Sequence, residues 1–467
     1  MTSDFSPEAF GIAWQRFIEH INEVTPPTEP TGPPLADKLL AFLQAEPTSL
    51  VLLNEHLLER DLPNLQIAMD HYLLGPECSA ELVGYLLEHD QPGIGLSTIL
   101  ARHRWQVISE GPVQYRAMEL ADGERLQCME RGLYLINDGG LKLVVGIKVS
   151  EYFHQGVQLE VMCLDRERGE AFVAKVQRLM REHNIYRGHI ISLGGREAED
   201  IRFHQLPPVA REDIILPART MAALQRSTVD FDQQAGRLRA SGRHIKRGLL
   251  FHGPPGTGKT LSVMYLAALM RGRTVILLTG RQLGLITQSC RLARLLAPAA
   301  VVLEDVDLIA IDRSKQESVG PMLFELLNEM DGLADDVDVL FILTSNRPDL
   351  LEPALVARPG RIDQAIEFPL PDDEGRRRIL ELYGRGLGLR AEDLDDMVRR
   401  TAGASPAFIR ELLRKAALQA AQETPGSNEP PVVTSAHLRG ALHTILEEGG
   451  DLTKRLLGVA PGALADG

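Results

Sequence analysis

Hydrophobic spacing divides this chain into segments of different character. Phe10, Trp14, Phe17, Ile18 and Ile21 share one side of a helix, so residues 1 to about 24 are predicted as a short amphipathic helix. The proline-rich run from Thr25 to Pro34 breaks it and reads as a linker. Leu39, Leu40, Phe42 and Leu43, then Leu65, Ile67, Ala68, Tyr72 and Leu73, repeat at helical spacing between Pro and Gly breaks. Residues 1–105 are therefore expected to be a helical N-terminal region. Over 106–205 the period shortens. Leu141–Ile147 and Val157–Cys163 read as strands, and Phe172, Val176, Leu179 and Met180 place a helix between Arg168 and His183. Gly188–Leu193 is expected as the last strand of this small α+β domain.

From 210 to 373, strand-like runs alternate with helix-length segments: Arg247–His252, Thr274–Thr279, Ala300–Leu303, Val339–Thr344 and Gln364–Phe368. That alternation predicts an α/β fold, a parallel sheet with helices on both faces. A helical domain is expected over 374–447, and a Gly- and Ala-rich tail over 448–467 is expected to be disordered.

A length of 467 residues exceeds what one core serves, which agrees with several domains. The net charge of -14 argues against a general nucleic-acid or anionic-membrane binder. Arg237, Arg239, Arg243, Lys246 and Arg247 cluster locally and read as a solvated face or a subunit contact. Cys78, Cys128, Cys163 and Cys290 form no CxxC pair, so neither a zinc site nor a disulfide framework is expected, and a reducing compartment fits. The opening Met1-Thr2-Ser3-Asp4 is not a basic region followed by an apolar core. No uninterrupted apolar run reaches membrane-spanning length. A cytoplasmic protein without a membrane span is the expectation.

The strongest chemical signal is Gly253-Pro254-Pro255-Gly256-Thr257-Gly258-Lys259-Thr260, which satisfies G-x-x-x-x-G-K-[ST]. Its glycines let backbone N–H groups wrap around phosphate oxygens. Lys259 would bring its charge to the β and γ phosphates, and the Thr260 hydroxyl would ligate Mg²⁺. The flanks agree: Gly248–Phe251 reads as the preceding strand, and Leu261 opens the helix whose N-terminus faces the anion. The predicted nucleotide-binding set runs from Gly253 through Leu261, with ATP and Mg²⁺ as ligands.

Further on, the buried-strand pattern Ala300–Leu303 ends in Glu304-Asp305-Val306-Asp307. Adjacent acids at a strand's carboxyl end supply a Mg²⁺ contact and a carboxylate that polarises an attacking water. Asn346, after the strand Val339–Leu343, is placed to touch the γ-phosphate or that water. Arg358 and Arg361, in Arg358-Pro359-Gly360-Arg361, carry planar charged groups suited to phosphate oxygens and able to reach a neighbour's site.

These residues together resemble the AAA ATPase family over about 210–447. The marks are GPPGTGKT, the acidic pair, Thr344-Ser345-Asn346, the stretch from Glu352-Pro353-Ala354-Leu355 through RPGRID, and Thr401–Ala407 at the start of a lid. The resemblance implies a P-loop core with a C-terminal helical lid and a ring, usually a hexamer. It also implies ATP bound between subunits, with Arg358 and Arg361 acting across the interface. The family's usual acidic order is Asp then Glu; here Glu304 takes the metal-side place and Asp305 the base place. Ala357 is one extra residue ahead of the arginine pair. The Glu-Asp order and the short connection from Thr279-Gly280 to Pro298 are similar to the mitochondrial AAA translocases that assemble Rieske-type complexes. That connection reads Leu283-Gly284-Leu285-Ile286-Thr287-Gln288, without the aromatic that many AAA unfoldases use to grip a chain.

The sequence contains no HExxH, so a fused zinc protease is not expected. His103, His183, His189 and His204 read as ordinary histidines, and Tyr72, Trp105 and Tyr115 as core or domain contacts. Two functional readings remain. One is a homo-oligomeric ATPase that remodels a protein partner recognised by residues 1–205. The other is a nucleotide-switched assembly scaffold that hydrolyses slowly and threads nothing. A nucleic-acid motor is disfavoured by the acidic charge.

Overall fold

The computed structural model describes residues 35–86, 95–101, 108–150, 156–195, 200–243, 245–310, 321–332, 337–351, 361–423 and 429–448. The helix expected over 1–24, the linker at 25–34 and residues 449–467 of the expected tail lie outside these residues. The chain divides into two compact units, the first ending at Ile185 and the second starting at Tyr186.

In the first unit, α1 (Leu35–Leu43), β1 (Val51–Leu57), α2 (Leu62–Leu73) and β2 (Cys78–Leu86) precede β3 (Ser109–Gly111), β4 (Gln114–Glu119), β5 (Arg125–Asp138), β6 (Leu141–Ser150), β7 (Gly156–Cys163) and α3 (Arg166–Glu182). The sheet order is β1-β7-β6-β5-β2-β3, with β4 paired to β5, and every pairing is antiparallel. Side chains alternate faces along a strand. Leu143, Val145 and Ile147 of β6 therefore pack with Leu65 and Met69 of α2 and Phe172 and Val176 of α3. Val144, between them, faces Leu35 and Leu39 of α1. Two cores, one on each face, explain why β6 reads as an unbroken apolar run. Asp165 starts α3 by accepting the Arg168 N–H at 3.2 Å.

This arrangement corrects two expectations. The stretch 35–105 is not a helical region of its own. Val51–Leu57 pairs with β7, from Val51 opposite Cys163 to Leu57 opposite Val157, and Cys78–Leu86 pairs with β5. Short apolar runs are ambiguous in sequence, and here distant partners decide them. Gly188–Leu193 does not complete the α+β domain either. The strand found there, β8 (Ile190–Gly194), runs parallel to a strand of the second unit.

The second unit continues with β9 (Asp200–Phe203), α4 (Ala218–Ser227), α5 (Val229–Ala240), β10 (Arg247–His252), α6 (Lys259–Leu269), β11 (Thr274–Leu278), α7 (Ile286–Leu295), β12 (Ala299–Leu303), α8 (Pro321–Asp331), β13 (Val339–Ser345) and β14 (Gln364–Glu367). Its sheet order is β14-β10-β13-β12-β11-β8-β9, parallel except for the β8–β9 pair. Leu249 and Phe251 of β10, Ile342 of β13 and Val302 of β12 share a core with Val263 and Leu266 of α6 and with Met270, which follows that helix. The strands expected between 247 and 368 are all present, within two residues at each end. Strand order reverses beside β10, which lies between β13 and β14 while β11 and β12 follow on the far side. In an open parallel sheet that reversal opens a crevice beyond the carboxyl ends of the strands.

The helical domain comprises α9 (Asp373–Tyr383), α10 (Ala391–Arg400), α11 (Pro406–Glu423) and α12 (Ser435–His443). Phe408, Ile409 and Leu412 of α11 pack on Ile379 and Leu380 of α9, Met397 of α10 and Leu438 of α12. Among the described residues, no helix is long and apolar enough to cross a membrane.

Candidate functional site

The crevice is occupied by the loop between β10 and α6. Gly258 precedes α6 with φ at 97°, a left-handed conformation that lets the chain turn into the helix with its N–H groups free. Gly256 also has positive φ, 75°, and a Cβ there would sit 2.7 Å from Ala407 and 2.8 Å from the Ser405 hydroxyl of the helical domain. The Ala407 N–H donates to the Gly256 carbonyl at 3.2 Å. Only glycine permits that approach.

Lys259 is the first residue of α6 and only 6% exposed. Its ammonium donates to the carbonyls of Gly253 and Pro254, both at 2.9 Å. Burial pushes its pKa down to about 8, while Asp305 and Asp307 pull it upward. The neighbouring Thr260 hydroxyl hydrogen-bonds the Glu304 carboxylate. Burial raises the Glu304 pKa, Thr260 opposes the rise and Asp305 adds to it.

β12 and β13 are adjacent, so the residues after them emerge side by side. Asp305 has φ at 53°, in the left-handed region that Asp tolerates better than most residues. Its N–H donates to the Thr344 hydroxyl at 3.0 Å, and its carboxylate accepts from the Asn346 amide at 2.9 Å. Asp307 ties the two strand tips together, accepting from the Ser345 hydroxyl at 2.9 Å and the Asn346 N–H at 3.0 Å. Thr344 and Ser345 are fully buried. The acidic pair and Asn346 are thus held by a polar network rather than presented on a loose turn.

Gly256, Thr257, Gly258, Lys259, Thr260, Asp305 and Asn346 line one cavity of about 860 Å³. Glu304 joins it through Thr260. Arg361 stands apart from this group. Its guanidinium forks onto the carboxylate of Asp331, the last residue of α8, with Nε at 2.6 Å from Oδ1 and Nη2 on Oδ2. Asp363 is a backbone clamp: its carboxylate accepts from the Gly248 N–H at 2.7 Å, and its own N–H donates to the Gly248 carbonyl at 2.8 Å. Arg358, Ala357 and the stretch Glu352–Leu355 lie outside the described residues.

The model of the family described as ATPase family associated with various cellular activities (AAA) matches residues 249–370. Over these residues the chain is similar to AAA ATPases. The match lies wholly in the second unit and spans the phosphate loop, the acidic pair, Asn346 and Arg361. The chain is 35% identical over 207 residues to ATP-dependent zinc metalloprotease FtsH 2 of Sphaerobacter thermophilus, covering 42% of this chain and 32% of that protein. It is 34% identical over 189 residues to 26S proteasome regulatory subunit 6A of Encephalitozoon cuniculi, covering 37% and 47%. To the proteasome-activating nucleotidase of Pyrococcus horikoshii it is 37% identical over 191 residues, covering 38% and 47%. The chain spans about a third to a half of the length of these relatives.

Sequence reasoning missed the rest of the cavity lining. Asp213, Ile214, Ile215 and Leu216 line it ahead of the AAA match, and Ile379, Leu382, Tyr383, Arg410, Glu411 and Arg414 line it from the helical domain. The one legible hint was the apolar trio Ile214-Ile215-Leu216 before Pro217, too short to be read as a strand. The segment 280–286 also departs from an open gripping loop. Leu283, Leu285 and Ile286 are buried at 2%, 9% and 1% exposure, and Thr279 with Gln282 caps the turn that holds them.

Proposed function

We propose that this chain binds MgATP in the cavity at the β10–α6 loop and hydrolyses it. The single observation that carries the reading is the convergence of Lys259, Thr260, Asp305 and Asn346, from three separate strand ends, on one cavity. The loop amides from Gly253 to Leu261 and the N-terminus of α6 favour an anion there. Lys259 exchanges its two carbonyl partners for phosphate oxygens, which favour the charged form of this buried ammonium. The apolar wall of Ile214, Ile379, Leu382 and Tyr383 takes the base.

Thr260 and Glu304 fit a hard divalent cation, since one hydroxyl and one carboxylate lie in contact and magnesium accepts few protein oxygens beside phosphate ones. Bound there, Mg²⁺ would neutralise charge on the phosphate oxygens. Asp305 orients the attacking water and accepts its proton, and Asn346, which already holds that carboxylate, aligns it with the γ-phosphate. Arg361, with Arg358, serves the site of a neighbouring subunit in a homo-oligomer, a hexamer by family resemblance. The first unit, which has its own two cores and lies outside the family match, recognises a protein partner. The partner-recognition region expected over 1–205 is thereby narrowed to the unit ending at Ile185.

Burial of Leu283, Leu285 and Ile286 favours a second reading of what the ATP cycle does: a switched assembly scaffold rather than a machine that grips and threads a chain. The experiment is steady-state phosphate release and ATP binding by the full chain and by Lys259→Ala, with unfolding of an unstructured-tagged reporter alongside. ATP binding lost in the variant supports the site. Unchanged affinity in Lys259→Ala sinks it, and reporter unfolding driven by ATP sinks the scaffold reading alone.

A further inference from the structure

We propose that Arg410 is a specificity residue that grips the nucleobase end of the bound nucleotide; this rests on the nucleotide reading given above. Arg410 lies on α11 one turn beyond Ala407, whose N–H is bonded to the phosphate loop at Gly256. Its side chain lines the cavity, and its guanidinium stands 5.7 Å from the centroid of the Tyr383 ring. Tyr383 ends α9, the helix whose Ile379 and Leu382 form the apolar wall. The cation therefore lies beside the apolar wall of the cavity.

Its charge is uncommitted. Among the described residues no carboxylate lies within ion-pair distance of Arg410, whereas Arg414, one turn further on the same helix face, is forked onto Glu411 at 2.7 and 2.8 Å. At 5.7 Å the ring contact is at the outer limit of a cation–π pair. The guanidinium is thus free to move onto a ligand. A planar cation beside an aromatic ring is suited to the π face of a base, and its fork to a ring nitrogen or carbonyl, where an ammonium offers only a point charge.

The test measures affinity of the full chain for ATP, ADP and inorganic tripolyphosphate in wild type, Arg410→Ala and Arg410→Lys. Arg410 is exposed and alanine is a strong helix former, so the fold survives the change, which a melting curve checks. Arg410→Ala is expected to weaken ATP and ADP by the same factor, about tenfold. Tripolyphosphate affinity stays the same, and Arg410→Lys fails to restore the loss. Wild-type ATP affinity in Arg410→Ala overturns the proposal. So does a loss shared by tripolyphosphate, which would place Arg410 on the phosphates, or full rescue by lysine. Absence of ATP binding in the wild type would instead overturn the nucleotide reading.

Discussion

The guanidinium of Arg361 is held by Asp331 within its own chain, so the residue assigned to a neighbour's nucleotide is already oriented before any neighbour arrives. Arg361 retains 15% side-chain exposure against 45% for Asp331, which leaves the pair open on the carboxylate side. A partly exposed pair of this kind contributes little to stability, about 1 kcal/mol or less, and its value lies in fixing the fork. Arg361→Ala is expected to leave ATP affinity within about twofold and to lower hydrolysis at least tenfold. Asp305→Ala subunits should be inactive as well. Mixing the two inactive variants should recover activity, because some interfaces then pair an intact Asp305 with an intact Arg361. No recovery at any mixing ratio would exclude action in trans.

If Lys259 meets phosphate as proposed, nucleotide binding is expected to be sensitive to alkaline pH. Without ligand its pKa is lowered to about 8 by burial, with Asp305 and Asp307 the carboxylates that face it. Phosphate oxygens favour the charged form, so the complex holds a proton that the free site loses above about pH 8. ATP affinity is then expected to be flat below pH 8 and to fall above it, approaching tenfold per pH unit. Calorimetric titrations in buffers of different ionisation enthalpy would detect the matching proton uptake. Affinity that rises between pH 8 and 9.5 would show that the ammonium is not the group met by phosphate.

Asp305, the second of the acidic pair, holds a left-handed backbone conformation. Its φ of 53° is tolerated by Asp and is costly for Ala or Glu. Removing the carboxylate should stop hydrolysis in both Asp305→Gly and Asp305→Ala, but the two should differ in stability. The glycine variant is expected to be more stable than the alanine variant by about 1 kcal/mol, since only alanine carries a Cβ into the left-handed region. Denaturant unfolding with and without nucleotide measures this. Equal midpoints would mean that the backbone relaxes when the Asn346 and Thr344 contacts change.

How far the sequence carries depends on the range of the interactions involved. The phosphate loop was legible because GPPGTGKT fixes its own geometry over eight residues, and its flanking strand and helix carry clear periods. Glu304, Asp305 and Asn346 followed because each ends a strongly apolar strand, and adjacent parallel strands bring such ends together. The network that holds them, Thr344, Ser345 and Asp307, needs the β12–β13 register and could not be read from either strand alone. β1 and β2 were misassigned for the same reason, their pairing partners lying far along the chain. β8 looked like a neighbour of the strands before it, yet its partner is β11, beyond the phosphate loop. The wall built by Tyr383 and Arg410 belongs to helices more than a hundred residues after Lys259, and no local pattern marks it.

The segment after β11 offers a separation of structure from grip. Leu283 is 2% exposed, and Leu285 and Ile286 are buried beside it. A residue that only touches a passing chain can be truncated without harm to the fold. A residue packed in the interior cannot, because its removal forfeits transfer energy and leaves a cavity. Leu283→Ala is therefore expected to destabilise the second unit by roughly 2–4 kcal/mol. Gly284→Ala should cost little, because nothing lies within 4 Å of a Cβ at that position. Thermal unfolding of both variants, with nucleotide binding measured at low temperature, checks the contrast. If Leu283→Ala melts like wild type while losing a partner-dependent activity, the segment acts on a substrate after all, and the scaffold reading loses its support.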